Sequence, residues 1–125
     1  MSTPPGRSDG RRIIVTDDNP SKLYALTQTL RNAGHCVFAA YDGESALELV
    51  QQLPNIDLLV SNTRLGLLDG PELMRRARQL RPDLPMLHVT HDGASEPVAT
   101  PPGVPTLNEP FTPAELLRAV DSLLT

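Results

Sequence analysis

Polar groups able to do chemistry stand at the same point of several apolar runs. "RIIVT" (12–16) ends at the adjacent acids Asp17 and Asp18, and "IDLLVS" (56–61) ends at Asn62. "PMLHVT" (85–90) closes on Thr90, and "VPTL" (104–107) leads to Glu109. Carboxylates held this close raise at least one pKa or recruit a cation. Asn62 fits neither role, because an amide is neither a useful nucleophile nor an anion. No Ser/His/Asp or Cys/His set is placed for nucleophilic catalysis. His88 alternates with Leu87 and Val89 and reads as a packed or edge histidine, while His91 at the rim is the better ligand candidate.

Such a set becomes a site only if the strands that carry it lie side by side. The apolar runs at 12–16, 36–40 ("CVFAA"), 56–61 and 85–90 have the composition of buried parallel strands, and 104–107 is a weaker fifth. Helical patterns separate them. "NPSKLYALTQTLRNAG" has Asn19 as N-cap, Pro20 at the first helical position and Gly34 as its stop, with Leu23, Leu26, Leu30 and Ala33 on one face. "DGESALELVQQL" starts at the cap Asp42 and aligns Ala46, Leu47, Val50 and Leu53. "GPELMRRARQL" carries Pro71 near its start, and Thr112 and Glu115 form a capping box for "TPAELLRAVDSLL". This alternation predicts a doubly wound α/β fold, a five-stranded parallel sheet with helices on both faces. The carboxyl ends of its strands meet in one crevice.

The segment 91–105 lies where another helix belongs, yet it holds Pro97, Pro101, Pro102 and Pro105 with Gly93 and Gly103. An interior proline costs a helix about 3 kcal/mol. A loop with at most one helical turn is expected, so the fourth helix of the pattern is short or missing.

The 125 residues suit one domain, and 39% apolar content without Trp makes an aliphatic core. A net charge of −4 argues against nucleic acid as the partner, and Arg75, Arg76, Arg78 and Arg81 read as a solvated helix face. Cys36 alone forms no internal disulfide and reads as a small strand residue; one cysteine fits a reducing cytoplasm. No apolar run approaches membrane-spanning length. The opening "MSTPPGRSDGRR" reads as a polar arm, giving a flexible segment 1–10 and a domain over 11–125.

Taken together, these pieces resemble the receiver domain of bacterial response regulators. The likeness runs over about residues 11–124, through "IIVTDDNPSKLYALTQTLRNAGHCVFAAYDGESALELV", "IDLLVSNTRLGLLDGPELMRRAR", "LPMLHVT" and "LNEPFTPAELLRAV". It implies a flavodoxin-like (βα)5 fold of the CheY type, working in two-component phosphorelay signalling. In that family the acidic pair, here Asp17 and Asp18, binds a divalent metal such as Mg2+, with a backbone carbonyl at the position of Arg64. An Asp ending the third strand accepts a phosphoryl group. A Thr or Ser ending the fourth strand, here Thr90, and a Lys before a Pro respond to it. An aromatic just before that Lys reports the state, and the Glu109–Pro110 bond matches one that is often cis.

The chain departs from that pattern at the positions that do the chemistry. The acceptor position is Asn62, the lysine position is Glu109, and the aromatic position falls on Thr106. The only lysine, Lys22, lies on the first helix, so Asp17, Asp18 and Glu109 are expected to form an acidic pocket without a cation. The expected function is a pseudo-receiver: a non-phosphorylatable module, not an enzyme, that binds a signalling protein or a linked domain and needs no cofactor. The alternative is a sensor that takes a divalent cation or small cationic ligand into the acidic crevice.

Overall fold

The computed structural model describes residues 10–90 and 100–125. Five strands alternate with helices: β1 (Arg12–Thr16), α1 (Pro20–Asn32), β2 (Cys36–Ala40), α2 (Gly43–Gln52) and β3 (Leu58–Asn62). They continue as α3 (Gly70–Leu80), β4 (Met86–Thr90), β5 (Thr106–Asn108) and α4 (Pro113–Leu124). All pairings are parallel, and the sheet order is β2-β1-β3-β4-β5. This is the expected flavodoxin-like fold.

Side chains alternate across a strand, so each strand feeds two cores. Ile14, Leu59 and Met86 point to one face and meet Ala46 and Val50 of α2 with Leu73, Met74 and Ala77 of α3. Ile13, Val15, Leu58, Val60, Leu87 and Val89 point to the other, against Leu23, Leu26 and Leu30 of α1 and Leu116 and Val120 of α4. β3 and β4 are buried at every position because both faces are covered.

The caps fall where the side chains favour them. The Asn19 amide oxygen accepts from the Ser21 and Lys22 N–H groups, Asp42 accepts from Ser45, and Thr112 and Glu115 form the reciprocal box. Gly34 takes φ 101° just beyond α1, a conformation that side chains disfavour.

Three strands differ from expectation in their limits. β3 begins at Leu58 because Asp57 spends its carboxylate on the Arg12 N–H, at 2.9 Å, and so replaces a ladder bond. It also extends through Asn62, which lies in the strand and not after it. β4 starts at Met86, after Pro85, and β5 runs over Thr106–Asn108. Pro101, Pro102 and Pro105 have no N–H to give a ladder, so regular pairing starts beyond the last of them. Residues 100–105 carry no helix; the rest of the expected loop, with His91, lies outside the described residues, as does the arm 1–9.

Candidate functional site

The crevice lies at the carboxyl ends of β1, β3 and β4. Asp17 follows β1, and its N–H extends the pairing to the Ala40 carbonyl at 3.3 Å, which fixes the carboxyl under the start of α1. The residue is fully buried. Its Oδ1 accepts from the Asn19 N–H at 2.9 Å, while Oδ2 makes no hydrogen bond of regular geometry among the described residues. Burial pushes the Asp17 carboxyl above the usual carboxylate range. The Asn19 N–H, the facing Asn62 side chain and the Lys22 charge oppose that rise, and Asp18 adds to it. Asp18 itself is exposed.

Asn62 is nearly buried, and its Oδ1 accepts from the Thr63 N–H at 2.6 Å. The chain returns to it from α3: the Gly70 N–H donates to the Thr63 carbonyl at 2.8 Å. A Cβ on Gly70 would sit 2.0 Å from the Asn62 carbonyl oxygen, so only glycine permits this approach. The amide is thus clamped between its own loop and the first turn of α3, beside the Asp17 carboxyl.

Glu109 stands in the loop after β5, where its N–H donates to the Thr90 carbonyl at 2.9 Å. Here the expectation of a cation-free pocket is corrected. The Lys22 ammonium reaches Glu109 Oε1 at 2.8 Å, with side-chain exposures of 35% and 16%. Lys22 lies in the first turn of α1, three residues after the cap Asn19, and that turn opens over the crevice. The formal charge of Asp17, Asp18, Glu109 and Lys22 together is therefore −2, not −3. The glutamate raises the Lys22 pKa by its hydrogen bond and its charge.

A second group of side chains runs sideways from the crevice to β5. Thr63 Oγ1 lies 2.6 Å from His88 Nε2 and 3.3 Å from Thr90 Oγ1, to which it donates. His88 Nδ1 lies 3.2 Å from Thr106 Oγ1 across the β4–β5 ladder. His88 is buried, which pushes its pKa below the ordinary histidine value. The switch-equivalent positions Thr90 and Thr106, the second without the aromatic of the usual rotamer switch, are thus joined through a histidine.

Asp17 Oδ2 is a free acceptor, but Asn62 Oδ1 is engaged by a backbone N–H, and no group of three or more His, Cys, Asp or Glu suited to a metal occurs among the described residues. The Glu109–Pro110 bond is cis, as the resemblance implies.

One family model, the response regulator receiver domain, matches residues 13–121. The chain belongs to that family. The receiver is 37% identical over 119 residues to the response regulator MprA of Mycobacterium ulcerans (strain Agy99), covering 90% of this chain and 50% of MprA. It therefore spans about half the length of the first curated relatives it matches. The response regulator receiver protein CpdR of Brucella abortus (strain 2308) is 29% identical over 117 residues, covering 91% of this chain and 97% of CpdR. Among solved structures, a response regulator receiver protein from Sinorhizobium medicae WSM419 superposes with a TM-score of 0.81 at 31% identity, over 94% of this chain and 96% of that one. No helix among the described residues is long and apolar enough to cross a membrane.

Sequence reasoning brought Asp17, Asp18, Asn62, Thr90 and Glu109 to one end of the sheet, and the structure places them there. It missed Lys22, which meets Glu109 across 87 positions of sequence, and Thr63. The spacing of His88 and Thr90, two residues apart on one strand, puts both on the same face and was the available signal for the second group.

Proposed function

We propose that this receiver domain signals without phosphorylation, as an interaction module whose partner is a signalling protein or a covalently linked domain. The observation that carries the reading is Asn62. A neutral amide, held by the Thr63 N–H and pressed by α3, stands where acyl phosphate chemistry needs a carboxylate. The surroundings support it. The residue before Pro110 is an acid, and the one lysine that reaches the crevice is engaged with that acid and not directed at Asn62. Asp17 adds a buried negative charge beside the amide, which disfavours a phosphoryl dianion.

On this reading the domain needs no cofactor, works in the cytoplasm, and responds to what docks on it. Receivers joined to larger signalling proteins provide the setting; one solved relative is the receiver domain of the hybrid histidine kinase CckA, 28% identical with a TM-score of 0.78 over 91% of this chain. The cation-sensor alternative has less support, because its acidic pocket already contains the Lys22 ammonium.

The test is incubation with acetyl phosphate, and separately with beryllofluoride, each with Mg2+. Intact mass and amide NMR spectra are expected to remain unchanged. A stoichiometric gain of one phosphoryl group at a crevice aspartate would overturn the proposal.

A further inference from the structure

The chain of side chains from Thr106 through His88 and Thr63 to Thr90 has a property that its members lack singly. Each threonine hydroxyl has one proton, and the neutral imidazole has one N–H. Thr63 therefore donates either to Thr90 or to His88, never to both. If Thr63 donates to Thr90, the short 2.6 Å contact requires the proton on His88 Nε2, and Nδ1 then accepts from Thr106. If Thr63 donates to Nε2, the proton sits on Nδ1, Thr106 accepts, and Thr90 turns its own proton toward Thr63. A third orientation, with Thr63 accepting from both His88 and Thr90, strands the Thr63 proton inside the chain; only the first two leave the spare proton at an end.

The two ends face different surroundings. Thr90 lies in the crevice at 7% exposure, whereas Thr106 is exposed on the edge strand β5. We infer that Thr106, His88, Thr63 and Thr90 form a tautomer switch: the hydrogen-bonding character of whatever contacts Thr90 in the crevice sets whether Thr106 donates or accepts at the β5 surface.

An acceptor at Thr90 draws its hydroxyl proton outward and favours the Nε2–H orientation. A donor at Thr90 favours the Nδ1–H orientation. Interconversion passes the Nε2 proton to Thr63, the Thr63 proton to Thr90 and the Thr90 proton to water in the crevice, while Nδ1 takes the Thr106 proton and Thr106 regains one from water; the net proton count is unchanged. His88 acts here as a positioning residue between the crevice and the strand edge. The buried ring stays neutral because burial disfavours its charged form, which keeps one nitrogen available as an acceptor. A two-state element that both sites bias is the physical requirement for coupling between them. The device is independent of whether Asn62 accepts phosphoryl, so its failure and the failure of the proposed function are distinguishable.

The experiment is side-chain 15N NMR of His88 in the whole domain. The unmodified protein is expected to show the Nε2–H tautomer, since Thr63 donates to Thr90. Thr90→Val removes that acceptor; Thr63 regains a partner for its proton by turning to Nε2, and the tautomer should change to Nδ1–H. Thr106→Val removes the donor at Nδ1 and should leave Nε2–H in place. An unmodified protein in the Nδ1–H form, or a Thr90→Val variant that keeps Nε2–H, would overturn the switch. Should Thr90→Val not fold, a second measurement decides. A triple-mutant cycle compares Thr63→Val and Thr106→Val in the presence and absence of His88→Leu. Coupling of about 3- to 10-fold in the unfolding constant is expected with His88 present and none with leucine. Additivity with His88 in place would reject the chain.

Discussion

Lys22 and Glu109 form an ion pair at 2.8 Å across the mouth of the crevice, joining the first turn of α1 to the loop after β5. Along the sequence, Glu109 is an acid where the resemblance leads one to expect a lysine, and Lys22 is an unrelated helix residue. In space they are neighbours, and the ammonium reaches the crevice from the opposite side. The exchange keeps a positive group near the site but fastens it to a carboxylate. Such a pair holds α1 against the β5 end and leaves the lysine little freedom to follow an incoming anion.

Lys22→Met should lower stability by about 0.2–1 kcal/mol, the range of a partly exposed pair. Glu109→Lys should cost more, since two ammonium groups would then face each other. The swap of Lys22→Glu with Glu109→Lys should recover most of that loss. Urea unfolding of these variants and of Lys22→Glu alone measures this, and strictly additive single effects would show that the pair carries no coupling. The sign with pH is fixed by the raised Lys22 pKa: the contribution is complete below 10.5 and disappears as pH rises through the folded value.

Asn62→Asp alone should not create a stable phosphorylation switch. The new carboxylate would stand beside buried Asp17, and Lys22 would still be held by Glu109. The double change Asn62→Asp with Glu109→Lys should gain slow modification by acetyl phosphate, visible by intact mass. Robust modification of the single variant would show that Lys22 leaves Glu109 and serves the acceptor.

Much of this molecule was legible in the sequence for a local reason. Asn19, Asp42 and Thr112 cap the helices they precede, and each bond they make spans two or three residues. The strand interiors were legible because both faces are covered and the runs are continuously apolar. The site was legible as a list of residues, since strand ends converge whatever the loops do. Its wiring was not. Whether Lys22 meets Glu109 depends on how α1 sits over β5, and whether His88 meets Thr63 depends on a loop conformation held by Gly70. Strand limits failed where a side chain or a proline took over a ladder position, at Asp57 and Pro105.

Asp17→Asn should stabilise the fold at neutral pH by about 1 kcal/mol or more, because it removes a buried charge with one oxygen unpartnered. Burial places the folded pKa above the ordinary 3.8, so the native state binds more protons than the unfolded chain in that window. The carboxyl's favourable contribution is present below 3.8 and is lost as pH rises through the folded value. The advantage of asparagine should therefore shrink on acidification and vanish below the unfolded pKa. Thermal melts at a series of pH values test it, and a destabilised variant at neutral pH would mean that the carboxylate has a partner in solution.

Gly70→Ala should be destabilising by about 1–3 kcal/mol, an overpacking cost, although alanine favours helices. The added carbon would meet the Asn62 carbonyl oxygen at 2.0 Å, and that oxygen belongs to backbone. Relief requires α3 to move away from β3, which would also release Thr63 and with it the neighbour of His88. Urea unfolding measures the loss, and the His88 ring signals should shift in the same variant. An alanine variant as stable as the parent would show that the approach of α3 to Asn62 is looser than described.

Stability should fall as pH drops below 6.5, through His88. Its folded pKa is depressed by burial, so between that value and 6.5 the unfolded chain binds more protons than the native one. The contribution is complete above the unfolded pKa and is lost as pH falls toward the folded one, with a limiting slope of about 1.4 kcal/mol per pH unit for one group. Protonation also gives both ring nitrogens a hydrogen, so Thr63 and Thr106 must both accept and the directed chain between them is lost. His88→Leu keeps an apolar side chain of similar bulk between Met86 and Thr90 and should remove this part of the dependence. Comparison of urea midpoints for the two proteins from pH 7.5 down to about pH 5 isolates the histidine, since every other titrating group is common to both. Parallel curves would show that His88 does not titrate in the folded domain over this range, or is already hydrated.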